Sequence, residues 1–127
     1  MSDWVLELSE NYEKAYKYYE KKHSGELAAV LNNLDSYVKA LKNGLHPQFI
    51  QAGYIHHEPK GIKALDQKGS GKRQKLQQTR LYIYPNEEAK IVHLITIGDK
   101  SSQKNDIRLS VGFVETLKGG QGHGKAI

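Results

Sequence analysis

Apolar and polar positions along this 127-residue chain change period several times, and each change marks an element. Trp4–Leu8 alternates weakly, with Val5 and Leu6 adjacent, which predicts a short first strand. Ser9 then offers a side-chain N-cap, and Tyr12, Ala15, Tyr16 and Tyr19 recur at helical spacing up to about Lys22. A tyrosine stripe of this kind is more often a core face than a functional one. Ser24 reads as the cap of a second helix, in which Leu27, Leu31, Leu34, Val38 and Leu41 share one face. Gly44 stands where a helix C-terminus wants a left-handed residue. Only Gly25 and its neighbours separate the two helices, so an antiparallel hairpin or a sharply bent helix is expected.

From Leu45 to Pro59 no period persists and Pro47, Gly53 and Pro59 interrupt the chain, which predicts a loop crossing the structure. Gly61–Leu65 reads as a strand, and Asp66–Gln78 as a basic, glycine-bearing hairpin loop. Arg80–Tyr84 alternates strictly: Arg80, Tyr82 and Tyr84 lie on one face, Leu81 and Ile83 on the other. Pro85-Asn86-Glu87-Glu88 carries turn chemistry. Ile91–Ile97 is apolar on both faces apart from His93 and Thr96, the pattern of a central strand covered on both sides. Ser101–Leu117 carries Ile107, Val111, Val114, Phe113 and Leu117 as a helical stripe, which Gly112 weakens by about 1 kcal/mol relative to Ala. One domain over residues 1–118 follows, with the glycine-rich residues 119–127 expected as a flexible tail.

Composition adds a bias and removes several classes. With 38% hydrophobic residues, the chain can bury one core and not two. No run of about 18 apolar residues is present and the start is charged at Asp3 and Glu7, so neither a membrane span nor a secretory leader is expected. Zero cysteines exclude disulfides, thiolate catalysis and Cys-based zinc sites, which suits a cytoplasmic protein. Residues 1–59 hold 6 Lys/Arg against 8 Asp/Glu, a balance of −2, whereas residues 60–127 hold 13 against 6, a balance of +7. A polyanion is therefore steered toward the C-terminal half.

Two motifs fail on inspection. His56-His57 suggests a metal, but adjacent side chains diverge and only Glu58 stands near them at a ligand-like spacing, so the expectation is no metal. Gly69-Ser70-Gly71-Lys72-Arg73 is not a phosphate-binding loop: that motif requires glycine at position 66 and Ser or Thr after the lysine, where this chain has Asp66 and Arg73. What remains is a cationic loop in which Lys68, Lys72, Arg73 and Lys75 are candidates to hold RNA phosphates.

Thr79-Arg80-Leu81-Tyr82 opening an aromatic strand, followed by an apolar strand that ends in Gly98-Asp99-Lys100, is similar to the RelE/ParE superfamily of toxins, in particular its HigB-like and phage-borne branch. The order strand, helix, helix, three-strand antiparallel meander and closing helix extends that resemblance to about residues 4–117. It implies an α+β fold, with the first strand and helical hairpin packed on a small antiparallel sheet. It also implies the toxin of a type II toxin–antitoxin pair that needs no cofactor. Its expected activity is metal-independent cleavage of mRNA on the ribosome, and its expected partner is a cognate antitoxin.

In such cleavage the ribose 2′-OH attacks the adjacent phosphate, which requires cations against the phosphorane, a base for the 2′-OH and an acid for the leaving 5′-oxygen. By resemblance Arg80 matches the strand arginine, Lys100 the basic residue after the last strand, and Lys63 the lysine on the second strand. Lys104 joins them one helical turn after Lys100. The family's usual Tyr or His in the C-terminal helix is missing; Ser102, Gln103, Asn105 and Asp106 stand there instead. His93, Asp106 and Tyr82 are the candidates for proton transfer. Arg108, Tyr82 and Tyr84 are further RNA-binding candidates. Two other readings compete: a toxin of this fold directed at another target such as gyrase, and a non-enzymatic RNA binder that stacks bases on Tyr82 and Tyr84.

The loop supports a testable division of labour. Replacing Lys68, Lys72, Arg73 and Lys75 with Gln should weaken RNA or ribosome binding and flatten its salt dependence by up to about four counterions of slope. Single-turnover cleavage at saturating substrate should survive, because a glycine-flanked loop cannot hold a catalytic group to within about 0.5 Å.

Overall fold

The structure, a computed structural model, describes residues 3–69 and 76–126, with side chains described as far as Gly119. Five strands and three α-helices form an α+β architecture: β1 (Val5–Leu8), α1 (Glu10–Lys22), α2 (Ser24–Lys42), β2 (Ile55–His57), β3 (Lys63–Asp66), β4 (Thr79–Asn86), β5 (Ile91–Asp99) and α3 (Gln103–Ala126). The sheet order is β1-β5-β4-β3-β2, with β1 parallel to β5 and every other pair antiparallel. The expected meander β3-β4-β5 is therefore the middle of a wider, mixed sheet. Among the described residues no helix is long and apolar enough to cross a membrane.

α1 begins where Ser9 ties helix to sheet. Its Oγ accepts from the Tyr12 amide at 3.0 Å and donates to the Ile95 carbonyl at 2.7 Å. Glu10 and Glu13 lie in the first turn and Lys21 and Lys22 in the last, both favourable to the helix dipole. Ser24 is not the cap of α2 but its first residue. The cap position falls on His23, whose backbone amide bonds to Tyr19 and whose carbonyl accepts from Leu27. Only that one residue, at φ −144°, breaks the helical path. Gly44 takes φ +97° and ends α2 as its position suggests.

The two faces of the sheet are covered by different helices. Tyr12, Tyr19, Val30, Leu34, Tyr37 and Leu41 of α1 and α2 pack on Leu65, Leu81, Ile83, Val92, Leu94 and Ile97. On the opposite face Val114, Ile107, Val111 and Phe113 of α3 cover Ala64, Tyr82 and Ile95. Being buried on both sides explains the unbroken apolar run in β5, although β5 lies between β1 and β4 and the middle strand of the five is β4.

Three other expectations change. The stretch read as a featureless loop holds β2, a three-residue strand with two histidines whose apolar content is too small to show a period. Pro85 and Asn86 belong to β4 and pair with Val92 and Ile91; the turn is displaced to Glu87–Lys90, where Lys90 takes φ 59°. Helical backbone in α3 continues past Leu117 to Ala126, through glycines that the sequence reading assigned to a tail.

α3 reaches the sheet through Gly98. A Cβ there would overlap Asp106 Oδ2 and stand 2.5 Å from Ser102 Oγ. Gly98→Ala should therefore displace the Asp106 and Ser102 side chains, or the first turn of α3 with them, and cost roughly 1–3 kcal/mol. Thermal or denaturant unfolding measures this, and an unchanged midpoint would show that the helix start does not depend on this approach.

Candidate functional site

Strand register assembles the site in two rows. His56, Ala64, Tyr82 and Thr96 are successive partners across β2, β3, β4 and β5; Asp66, Arg80 and Gly98 form the next row. Tyr82 and Ala64 lie on the face under α3, and Arg80 shares that face with Tyr82 by alternation along β4. Gly98, with no side chain, lets Asp106 and Ser102 of α3 close over this row.

Arg80 is the cation of this cluster. Its side chain is 14% exposed and its Nη1 lies 3.9 Å from Oε2 of Glu58, itself 15% exposed. Beside this pair, His56 Nε2 is 2.7 Å from Asp66 Oδ2, and Asp66 also accepts the Lys68 amide at 2.8 Å. The Tyr82 hydroxyl and Arg80 Nε are buried without a hydrogen-bond partner among the described residues. Burial, reinforced by Asp106, pushes the Tyr82 phenol well above its ordinary value, while Arg80 opposes the shift. This phenol is therefore a proton holder rather than a base near neutrality.

The start of α3 closes the cluster. Ser102 Oγ donates to Asp106 Oδ2 at 2.6 Å, while Asp99 Oδ1 accepts from Ser101 Oγ at 2.7 Å and from the Ser102 amide at 3.1 Å. Those bonds, the Ser101 hydroxyl foremost, hold the Asp99 carboxyl below its ordinary range. Lys100 and Lys104 flank this turn, both exposed, and neither is paired with a carboxylate among the described residues.

Other sequence candidates fall elsewhere. His93 is 5% exposed, stacked on Tyr84 at 6.0 Å and edge-on to Phe113 at 5.6 Å. Burial lowers its pKa against the raising effect of Glu7. It pairs across the ladder with Tyr84, four residues from Arg80 along β4 or about 13 Å, so the structure separates it from the Arg80 cluster. Lys63 is 8% exposed and donates to His57 Nδ1 at 2.8 Å, three positions from Asp66 along β3. Burial lowers its pKa too. Arg108 and Lys68 are exposed, whereas Lys72, Arg73 and Lys75 lie outside the described residues.

Tyr82 is fully buried beneath α3 and Tyr84 only half-exposed, so the reading in which these two rings form an open stacking platform fails. The sequence reading missed Glu58 as the partner of Arg80 and His56 with Asp66 as the pair beside it. Their separations along the chain follow no motif, and only the pairing of the short β2 brings them together. Among the described residues no three histidine or carboxylate side chains converge as metal ligands.

The class defined by this fold is RelE-like α+β. A solved structure of the E. coli toxin RelE in the free state, carrying two arginine-to-alanine replacements, superposes with a TM-score of 0.52 at 18% identity, covering 90% of this chain and 99% of that one. At that identity the likeness is one of fold. No family model matches the sequence, nor does any curated protein.

Asp106 gives the site a pH signature. Burial raises its carboxyl above the ordinary 3.8, with Asp99 adding and the Ser102 hydroxyl opposing. The folded state thus binds the proton more tightly than the unfolded chain, and stability falls as pH rises from 3.8 through the folded pKa. Asp106→Asn, which keeps an acceptor for Ser102, should be more stable than the parent at neutral pH, with the difference closing below about pH 4. Denaturant unfolding across pH 3–7 tests this; a difference that grows on acidification would reverse the assignment.

Proposed function

We propose that this chain is the toxin of a type II toxin–antitoxin pair, of the HigB-like or phage-borne branch, and that it cuts mRNA on the ribosome without a metal ion. The observation that carries the reading is Arg80, a cation inside a RelE-like fold with a carboxylate 3.9 Å away and a polar row beside it. RNA transesterification uses such a combination, and convergence of Arg80 and Lys100 on one phosphate position would separate it from a toxin of this fold directed at another target.

In the proposed reaction the 2′-oxygen forms a bond to phosphorus as the P–O5′ bond breaks, leaving a 2′,3′-cyclic phosphate and a free 5′-hydroxyl. Glu58 takes the 2′-OH proton once substrate has drawn Arg80 toward the phosphate. Arg80 then faces the equatorial oxygens of the phosphorane, where a fixed cation is worth more than in water. Lys100 follows Asp99, the ladder partner of Thr79, and so enters beside Arg80; together with Lys104 it supplies further positive charge. His56 is held through Nε2 by Asp66, and only as the doubly protonated imidazolium does it have an Nδ1 proton to hand to the departing 5′-oxygen, after which it remains as the neutral ring bound to Asp66. The antitoxin, in this reading, covers the basic half and competes with RNA for Arg80.

Induced expression without a partner should arrest growth. Arg80→Gln combined with Glu58→Gln keeps the local charge balanced and should abolish arrest in a folded protein, since losing one preorganised cation costs about 3 kcal/mol, roughly a hundredfold in rate. Glu58→Gln alone should slow cleavage by about 10²–10⁴-fold while RNA binding holds or tightens, because a counter-ion of Arg80 is gone. Full toxicity of a folded Glu58→Gln protein would remove Glu58 as the base.

A further inference from the structure

The two edges of the sheet are protected unequally. β2 is three residues long and runs through Glu58 into Pro59, which blunts that edge. β1, at the other edge, has neither proline, lysine nor a bulge, and among the described residues no strand pairs with its outer side. Val5, Leu6 and Leu8 on it are 54%, 46% and 52% exposed. The Val5 amide donates to the Lys90 carbonyl and the Ser9 amide to the Leu94 carbonyl, both at 3.0 Å, so the odd-numbered residues turn their backbone groups toward β5. By alternation the amides and carbonyls of Leu6 and Leu8 point outward. Their side chains share the face of Trp4, which packs in the core with α1 and α2. Val5 and Glu7 lie on the other face, where Glu7 stands 3.6 Å from His93. Two grooves flank this edge. Where β1 leads into α1, a groove of about 550 Å³ is lined by Leu8 and Tyr16 with Glu13, Lys17 and Glu20, two carboxylates against one ammonium. At the start of β1, a groove of about 520 Å³ is lined by Trp4, Leu6 and Val38 with Asp35 and Lys42. Asp35 is taken up by Lys39 at 3.0 Å and Lys90 lies 5.3 Å from the centre of the Trp4 ring, so the excess charge there is positive.

We propose that β1 pairs antiparallel with β1 of a second copy of this chain, about a two-fold axis through Leu6, so that the two five-stranded sheets become one. In that register Leu6 and the partner's Leu6 exchange two amide-to-carbonyl hydrogen bonds. Glu7 stands opposite the partner's Val5, and Leu8 opposite the partner's Trp4. A two-fold through Glu7 would instead set two carboxylates directly opposite each other at the close spacing, ~4.5 Å, of a non-hydrogen-bonded pair. Charge therefore selects the Leu6 register. The same axis brings the acidic groove beside Leu8 against the partner's basic groove beside Trp4, which complements charge at both ends of the interface. A four-residue strand pair by itself falls short of the roughly 1,000 Å² of a specific interface, and the two grooves extend it. β5 separates β1 from β4, so this pairing leaves the Arg80 cluster uncovered and does not depend on the nuclease reading.

Sedimentation equilibrium of the purified full chain, at concentrations up to about 100 µM, should show a species of twice the 14.4 kDa monomer mass. Leu6→Lys replaces a half-exposed side chain and sets two ammonium groups across the axis, so it should weaken association by roughly a hundredfold or more. Phe49→Lys, at a residue 66% exposed in the segment between α2 and β2, should leave association unchanged. Thermal melting checks that both variants are folded. Leu6→Cys reports the register. The chain has no cysteine of its own, and residues opposite each other in a hydrogen-bonded pair stand about 5.5 Å apart at Cα, within reach of a disulfide. Mild oxidation should therefore convert Leu6→Cys protein to a covalent dimer that reducing agent dissolves. A chain that stays monomeric at every concentration would overturn the proposal, as would a dimer that survives Leu6→Lys or Leu6→Cys protein that does not cross-link. Capture of a strand from a different protein by this edge, with the chain alone monomeric, would overturn it too.

Discussion

The contact on which the rest of this molecule depends is the approach of α3 to the sheet at Gly98. Asp106 and Ser102 occupy the space that any side chain at position 98 would fill. Because they can, the helix starts directly over the end of β5 and runs across Ala64, Tyr82 and Ile95. That placement seals one face of the sheet, buries the Tyr82 phenol and leaves Arg80 at the margin, partly shielded but not closed off.

Polar groups gathered in such a place cost stability that the apolar cores must offset. Arg80, Glu58, Asp66 and Asp106 are each at most about a seventh exposed at the side chain or residue level, and an ion pair that far from water is seldom a net stabiliser. The buried Tyr82 hydroxyl and Arg80 Nε, with no partners among the described residues, point the same way. Groups this expensive on one sheet face, under one helix, are better explained by chemistry than by folding. The opposite face, with Tyr37, Leu41, Leu65, Leu81 and Ile83 fully or nearly fully buried, carries the stabilising load.

Electrostatics divide the molecule along the same line. The acidic N-terminal half supplies the helices of the stabilising face, and the basic half supplies β4, β5, α3 and the cations around them. Arg80 and Lys63 both stand in that basic half but differ in their surroundings: Arg80 faces the carboxylate of Glu58, whereas Lys63 donates to the His57 ring.

The sequence alone determined α1, α2, β4 and β5 and most of α3, because hydrophobic period is local information: Arg80, Tyr82 and Tyr84 do share a face, and Gly44 does end α2. It also singled out Arg80. It did not reveal that His56 and Glu58 stand over the same patch, that Pro85 continues a strand, or that His93 stacks on Tyr84. These depend on which strand pairs with which, and in what register. A three-residue strand such as β2 has too few side chains to announce its neighbours, so its placement is decided by the ladder it completes rather than by its own residues. The fold's outline was written in local periodicity, whereas the company of Arg80 was decided by long-range pairing across β2, β3 and β4.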